Sequence, residues 1–188
     1  DDDGLPGETL DLVAVLSGGQ DSSTALAWAK NLKGLVDVTA AIHFQYGQAH
    51  AVERGCARHW ADRYDIPLKV MNVPSLEGAG LSALTGSPGE ADALSDSHPS
   101  LEDVPASFVP GRNLVMFTLA AAFTMKVGAD GILSGVCQRD YSGYPDCREE
   151  TLRPLQQSIQ QGMEFPGFRI VAPLLNRTKA ETWHLAYR

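Results

Sequence analysis

Apolar positions recur along this chain in two alternating rhythms. Leu12-Val13-Ala14-Val15-Leu16 is a short continuous apolar run that stops at glycines, the pattern of a strand buried on both faces. Ala25, Leu26, Ala29 and Leu32 follow at i, i+1, i+4 and i+7, which places them on one side of a helix. Val36 to Phe44 reads as a second strand, and Leu68 to Val73 as a third. Between them Val52, Cys56, His59 and Trp60 mark a second helix, with His59 on its apolar face and therefore read as a core histidine. Residues 74–105 break the rhythm. They are rich in Gly, Ser, Pro, Asp and Glu, and read as a long loop with a short helix near Gly80 to Leu84. Periodicity returns at Leu114, Phe117, Thr118, Ala121, Ala122 and Met125, an amphipathic helix. Gly131 to Ser134 predicts a fourth strand and Arg169 to Val171 a fifth. Glu149 to Met163 is predicted helical, with Pro154 requiring a start near it or a kink. A last helix runs from Thr178 to Tyr187.

Strands that alternate with helices at this spacing form parallel α/β units. Crossovers between parallel strands are right-handed, and ligands sit beyond the carboxyl ends of the strands. The expected fold is a three-layer α/β sandwich around a mainly parallel five-stranded sheet. One domain is expected over residues 1–188, with no internal repeats.

Composition narrows the function classes. Of the 188 residues 44% are hydrophobic and 20% charged, the balance of an ordinary globular chain with a full core. A net charge of −8 and a pI near 5.0 argue against a broad nucleic-acid surface, which needs a basic stripe. They leave room for a small anionic ligand held by local donors. No apolar run approaches the roughly 18 residues that span a membrane. Cys56, Cys137 and Cys147 are odd in number and widely spaced, so a reducing cytosol is expected and buried thiols are favoured over nucleophiles. Asn176-Arg177-Thr178 matches the glycosylation pattern but is taken as chance without a secretion signal. Asp1-Asp2-Asp3-Gly4 reads as a solvated acidic tail on a processed or trimmed start.

The loop after the first strand, Ser17-Gly18-Gly19-Gln20-Asp21-Ser22, carries the chemistry. Gly18 and Gly19 let the backbone turn sharply and approach a ligand closely. The loop runs into a helix whose first N–H groups and dipole attract anions. Ser17, Ser22 and Ser23 add hydroxyl donors. Asp21 holds a metal or caps the helix. The plain alternative is a strand-to-helix turn with Asp21 as N-cap. Neither a Walker loop nor a dinucleotide fingerprint is present. The motif resembles the pyrophosphate-binding loop of the PP-loop ATP pyrophosphatase superfamily. That resemblance implies the adenine nucleotide α-hydrolase-like (HUP) fold and ATP cleavage between the α and β phosphates. It also implies an ATP site over Leu16, Ser17, Gly18, Gly19, Gln20, Asp21, Ser22, Ser23 and Thr24.

Four further stretches are similar to the 7-cyano-7-deazaguanine synthase family of queuosine-precursor synthesis, and the likeness runs from about Val13 to the end. They are Tyr46-Gly47-Gln48 with His50; Phe108-Val109-Pro110-Gly111-Arg112-Asn113; Tyr141-Ser142-Gly143-Tyr144-Pro145-Asp146-Cys147-Arg148; and Lys179-Ala180-Glu181-Thr182-Trp183. The third is the most specific. Each also has a reading of its own. Arg112, just before a helix at the ligand edge of the sheet, can neutralise a phosphate or carboxylate, or form a surface ion pair. Asn113 binds ligand or caps the helix. An aromatic can stack on a flat heterocycle, an Asp can accept from its amidine edge and an Arg can pair with its carboxylate; the alternative for residues 141–148 is a hydrogen-bonded turn around Gly143 and Pro145. Lys179 reaches phosphates or is simply solvated.

With the resemblance, Asp21, Arg112 and Lys179 are the expected catalytic residues. Tyr46, Gln48, Arg112, Asn113, Asp140, Tyr141, Tyr144, Asp146 and Arg148 are the expected substrate contacts. The implied reaction takes 7-carboxy-7-deazaguanine through the amide to the nitrile in the cytoplasm, with ATP, Mg²⁺ and free ammonia, since a glutaminase domain has no room. Neither nucleic acid nor membrane is an expected partner. Exposed apolar helix positions are compatible with a homodimer without requiring one. The family also implies a four-cysteine zinc site near the C-terminus. No such cluster occurs in this sequence, so its ligands are expected outside residues 1–188 or lost, and no metal ligand is assigned. Three other readings stand beside this one: another adenylating PP-loop ligase, a protein-modifying relative, and a non-catalytic nucleotide-binding module.

Overall fold

A computed structural model of the chain describes residues 9–46, 51–73, 108–137 and 144–186. Their five strands are β1 (Leu10–Val15), β2 (Val36–Gln45), β3 (Leu68–Asn72), β4 (Gly131–Leu133) and β5 (Arg169–Val171). Five α-helices accompany them: α1 (Gln20–Asn31), α2 (Ala51–Arg63), α3 (Arg112–Val127), α4 (Glu149–Gly162) and α5 (Lys179–Ala186). The strands pair in the order β3-β2-β1-β4-β5, every pair parallel. The parallel α/β expectation holds, and the five strands are those the apolar runs predicted.

Side-chain alternation divides the core into two halves. Leu10, Leu12, Ala14 and Leu16 project to the side covered by α1 and α2, where Ala25, Leu26, Ala29, Ala57 and Ala61 meet them. Val13 and Ile132 project to the other side, under Met116, Phe117, Ala120 and Ala121 of α3 and Leu152 and Ile159 of α4. Helices on both faces make three layers. A β-bulge interrupts β2: Leu12 pairs with Val38 but Val13 with Ala40, so Thr39 is the extra residue. One extra residue reverses the alternation beyond it. Val36 and Val38 lie in the α1/α2 core, whereas Ala40, Ile42 and Phe44 lie in the α3/α4 core.

Helix α4 runs from Glu149 as expected, with Pro154 at an exposed interior position. One local expectation changes. Helix α2 fully buries Ala57 and Ala61 and packs Trp60 partly against the core, but Val52 is 73% exposed and His59 is exposed, so His59 is not a core histidine. The expected loop at 74–105, its short helix, and Tyr187 lie outside the described residues. Among the described residues no helix is long and apolar enough to cross a membrane.

Candidate active site

Strand order reverses between β1 and β4. The chain moves outward from β1 to β2 and β3, then returns to β4 on the other side of β1. Such a switch point opens a crevice at the carboxyl ends of the strands. A cavity of about 280 Å³ lies there, walled by the loop after β1 (Leu16, Ser17, Gly19), the first turn of α1 (Gln20, Asp21, Ser22) and the loop after β4 (Ser134, Gly135, Val136). His43, Tyr46, Glu53, Arg112, Asn113 and Cys147 complete its polar rim.

Close backbone packing shapes this crevice. Gly18 has φ +90°, and a Cβ there would collide with the Glu53 carbonyl of α2. A Cβ on Gly135 would lie 2.5 Å from the Ser22 nitrogen and 2.6 Å from the Asp21 carbonyl carbon. The two loops therefore meet with no side chain between them, and the N-terminus of α1 faces the cavity. The N-cap is Gly19, without a side-chain cap, so Asp21 does not cap the helix. The first intrahelical bond runs from Ser23 N–H to the Gly19 carbonyl, leaving the preceding N–H groups for an anion. Gln20 Nε2 is buried in the cavity wall without a hydrogen-bond partner. A buried amide without a partner costs free energy, and a phosphate oxygen would satisfy it.

The hydroxyls behave less uniformly than expected. Ser17 and Ser22 hydroxyls lie 3.0 Å apart, Gly19 N–H donates to Ser17 Oγ, and Ser22 Oγ also donates to the Gly19 carbonyl. Ser23 and Thr24 instead donate back into the helix, to the Gly19 and Gln20 carbonyls at 2.9 Å each, and neither is among the described residues lining the cavity. Both hydroxyls are thus bonded to the helix backbone.

Lys179 comes from the far end of the chain. Thr178 and Glu181 form a capping box: Thr178 N–H and Oγ1 both donate to Glu181 Oε2 at 2.7 Å, and Glu181 N–H returns to Thr178 Oγ1 at 3.3 Å. This fixes the first turn of α5, and Lys179 Nζ reaches Asp21 Oδ1 at 3.2 Å and Oδ2 at 3.3 Å. Two of the three expected catalytic residues are thus in contact.

The third, Arg112, opens α3. Its guanidinium lies 5.7 Å from the ring centroids of both Tyr46 and Tyr144, and Nη1 donates to the Tyr46 hydroxyl at 3.3 Å. Asn113 does not cap α3, whose N-cap is Gly111 at φ +74°. Asp146, only 4% exposed, caps it from another segment by accepting from Asn113 N–H at 3.0 Å. Asn113 Nδ2 in turn approaches Cys147 Sγ at 3.2 Å. Burial and the neighbouring Asp146 carboxylate push the Cys147 thiol up to about 12, so it is neutral and not nucleophilic. Two of the expected substrate contacts lie at helix N-termini. Asp146 supports α3, and Arg148 is exposed at the N-cap of α4; neither is among the described cavity-lining residues. Gln48, His50, Asp140 and Tyr141 lie outside the described residues. His43, Glu53, Ser134 and Gly135 line the cavity and were not singled out by sequence reasoning.

The chemistry of the wall bears on metals. Mg²⁺ takes one or two carboxylates together with phosphate oxygens, and Asp21 and Glu53 are the carboxylates among the lining residues, so the wall fits Mg²⁺ bound with a polyphosphate. The described residues do not fit the expected zinc site. They contain no group of three or more His, Cys, Asp or Glu able to hold a metal, and Cys56, Cys137 and Cys147 sit on α2, after β4 and in the turn before α4.

The sequence profile of the family described as queuosine biosynthesis protein QueC matches residues 11–188. The chain belongs to the QueC family. Among QueC-family relatives, a 7-cyano-7-deazaguanine synthase of a Bradyrhizobium species is 40% identical over 187 positions, covering 96% of this chain and 76% of the relative. The 7-cyano-7-deazaguanine synthase of Clostridium botulinum is 39% identical over 175 positions, covering 93% and 76%. Two solved structures share the QueC-family chain's fold at low identity. One is a predicted subunit of tRNA methyltransferase from Methanocaldococcus jannaschii (TM-score 0.54, 15% identical, 95% of this chain and 74% of that one). The other is the U34-tRNA thiolase NcsA from Methanococcus maripaludis with its [4Fe-4S] cluster (TM-score 0.55, 14% identical, 96% and 57%).

Proposed function

We propose that this chain uses ATP to convert 7-carboxy-7-deazaguanine and ammonia into 7-cyano-7-deazaguanine. Membership of the QueC family and the names of two relatives near 40% identity support the reaction. The observation that carries the ATP part is the Asp21–Lys179 pair at an α1 N-terminus whose Gln20 amide lacks a partner.

A carboxylate resists attack by ammonia because oxide is a poor leaving group. Attack of a carboxylate oxygen on the α-phosphorus of ATP breaks the bond to the bridging oxygen, releases pyrophosphate and forms an acyl adenylate. Ammonia attacks the acyl carbon, AMP leaves, and loss of a proton gives the amide. The amide oxygen then attacks the α-phosphorus of a second ATP and releases a second pyrophosphate, and departure of AMP with loss of the two nitrogen protons leaves the nitrile. The α1 N–H groups and Gln20 hold the departing pyrophosphate. Lys179 exchanges Asp21 for a phosphate oxygen as negative charge accumulates. Asp21 and Glu53 would hold Mg²⁺, whose contribution there is charge neutralisation on the phosphates. Arg112, fixed between Tyr46 and Tyr144, pairs with the substrate carboxylate. The expected setting is cytoplasmic, with small-molecule substrates and free ammonia.

The test is incubation with 7-carboxy-7-deazaguanine, ammonia and ATP. Nitrile mass should appear with two AMP and two pyrophosphate per nitrile. Absence of both nitrile and pyrophosphate would refute the assignment, and phosphate in place of pyrophosphate would refute the adenylate. Asp21→Ala should abolish turnover.

A further inference from the structure

His43 is a buried ionisable side chain that the proposed reaction does not use. It sits near the carboxyl end of β2, is 1% exposed, and forms part of the cavity wall. The bulge at Thr39 puts it there. By reversing the alternation of β2, it aligns His43 with Ala41 on the α1/α2 side, where the chain leaves β1.

Its hydrogen bond fixes the polarity of the ring. His43 Nδ1 lies 2.8 Å from the Leu16 carbonyl oxygen. A carbonyl only accepts, so Nδ1 carries the hydrogen and donates. In the neutral ring Nε2 is then an acceptor with no hydrogen. It is the remaining polar atom of a ring that lines the cavity. Leu16 is the residue before the phosphate loop, so this orientation is tied to the site itself. A fixed acceptor in the cavity wall favours a ligand amine and disfavours a ligand that offers nothing or another acceptor.

We infer that His43 is a specificity-determining residue whose Nε2 accepts a hydrogen bond from the exocyclic amine of a planar heterocycle bound in the cavity. The inference rests on the proposed ligands, since both adenine and deazaguanine carry such an amine, and the test separates them. Equilibrium Kd is measured by calorimetry for two pairs. The first is ATP against purine riboside triphosphate, which lacks the 6-amino group. The second is 7-carboxy-7-deazaguanine against its 2-deamino analogue. In the wild-type protein one pair should differ by about tenfold or more, the usual scale for a buried group left without its partner. His43→Asn keeps a donor for the Leu16 carbonyl but has no atom at the Nε2 position. In it that same difference should shrink below about threefold while the other pair is unchanged, and the pair that shrinks names the heterocycle. His43→Gln, which keeps a polar atom at that distance, should retain more of the difference than Asn.

Two results overturn the inference: a full difference persisting in His43→Asn, or both pairs collapsing together. If His43→Asn does not fold, ¹⁵N NMR of the wild-type imidazole decides. The Nε2 resonance should move with one parent ligand and not with its deamino analogue; no movement with any ligand overturns it. Wild-type nitrile formation is measured separately. Its absence with an intact Kd difference removes the synthase reading alone, and its presence without that difference removes the His43 role alone.

Discussion

A close backbone junction in the site, Gly135 against the first turn of α1, makes a quantitative prediction. In Gly135→Ala the new Cβ would stand 2.5 Å from Ser22 N and 2.6 Å from Ser22 Cα, whereas ordinary contact begins near 3.4 Å. The obstacle is backbone, so no side chain can rotate away. Relief needs a separation of about 0.9 Å between the β4 loop and α1. Overpacking of this kind costs about 1–3 kcal/mol. For a domain of this size each kcal/mol moves Tm by roughly 2–4 °C, so Tm should fall by roughly 2–12 °C. The effect on catalysis should be larger. Displacing reacting groups by about 1 Å costs on the order of 100-fold, so kcat/KM for ATP should fall by about that factor in an assay of pyrophosphate release. Gly162→Ala is the control. It lies in α4 with nothing within 4 Å of the added Cβ, and should be neutral or slightly stabilising without changing kcat/KM. Gly135→Ala with wild-type Tm and wild-type kcat/KM would refute the argument that this contact sets the crevice.

Other perturbations separate stability from chemistry. Lys179→Met removes a half-exposed ion pair with Asp21 (side chains 47% and 31% exposed), so it should change unfolding free energy by less than about 1 kcal/mol while lowering pyrophosphate release at least about 100-fold; a stability loss without an activity loss would reverse the assignment. Asp146→Ala leaves the N-terminus of α3 without its cap and should cost about 1–2 kcal/mol in urea unfolding, with Asp146→Asn recovering part of it; no loss in either would show that the cap contributes nothing. Because the Cys147 thiol is pushed up to about 12, its thiolate is negligible near neutral pH, and folded protein treated with iodoacetamide at pH 8 should be alkylated at half-buried Cys56 before Cys147, as read by peptide mass spectrometry.

The central strands were legible because a parallel strand buried on both faces is written as an apolar run, as in β1 and β4, and each of the five predicted strands formed with ends shifted by two residues or fewer. The glycine turn between β1 and α1 was legible for a related reason: its glycines and the following helix are contiguous in sequence. What escaped was anything that depends on how separate segments meet. Gly135 gains its meaning only from lying against Ser22, and His43 only from a bulge that no residue type announces. Asp146 looked like a ligand acceptor because its sequence neighbours are aromatic and basic, yet its partner is the backbone of Asn113. Helix α2 misled through size. Its buried face is the small Ala57 and Ala61, while the larger Val52 and His59 that defined the pattern point outward.

The sheet order has a consequence for how the protein comes into being. β1 pairs with β2 soon after it in sequence, but its other neighbour, β4, is recruited across a separation of 119 residues, as between Asp11 and Asp130. Lys179 must close a still longer loop of 158 residues to meet Asp21. Long closures lose more chain entropy and slow folding. The β1-α1-β2 unit can therefore organise while later residues are still being synthesised, but its glycine turn faces an unfinished crevice until Lys179 arrives. On the proposed function, gain of ATP affinity during refolding should lag behind the gain of secondary structure.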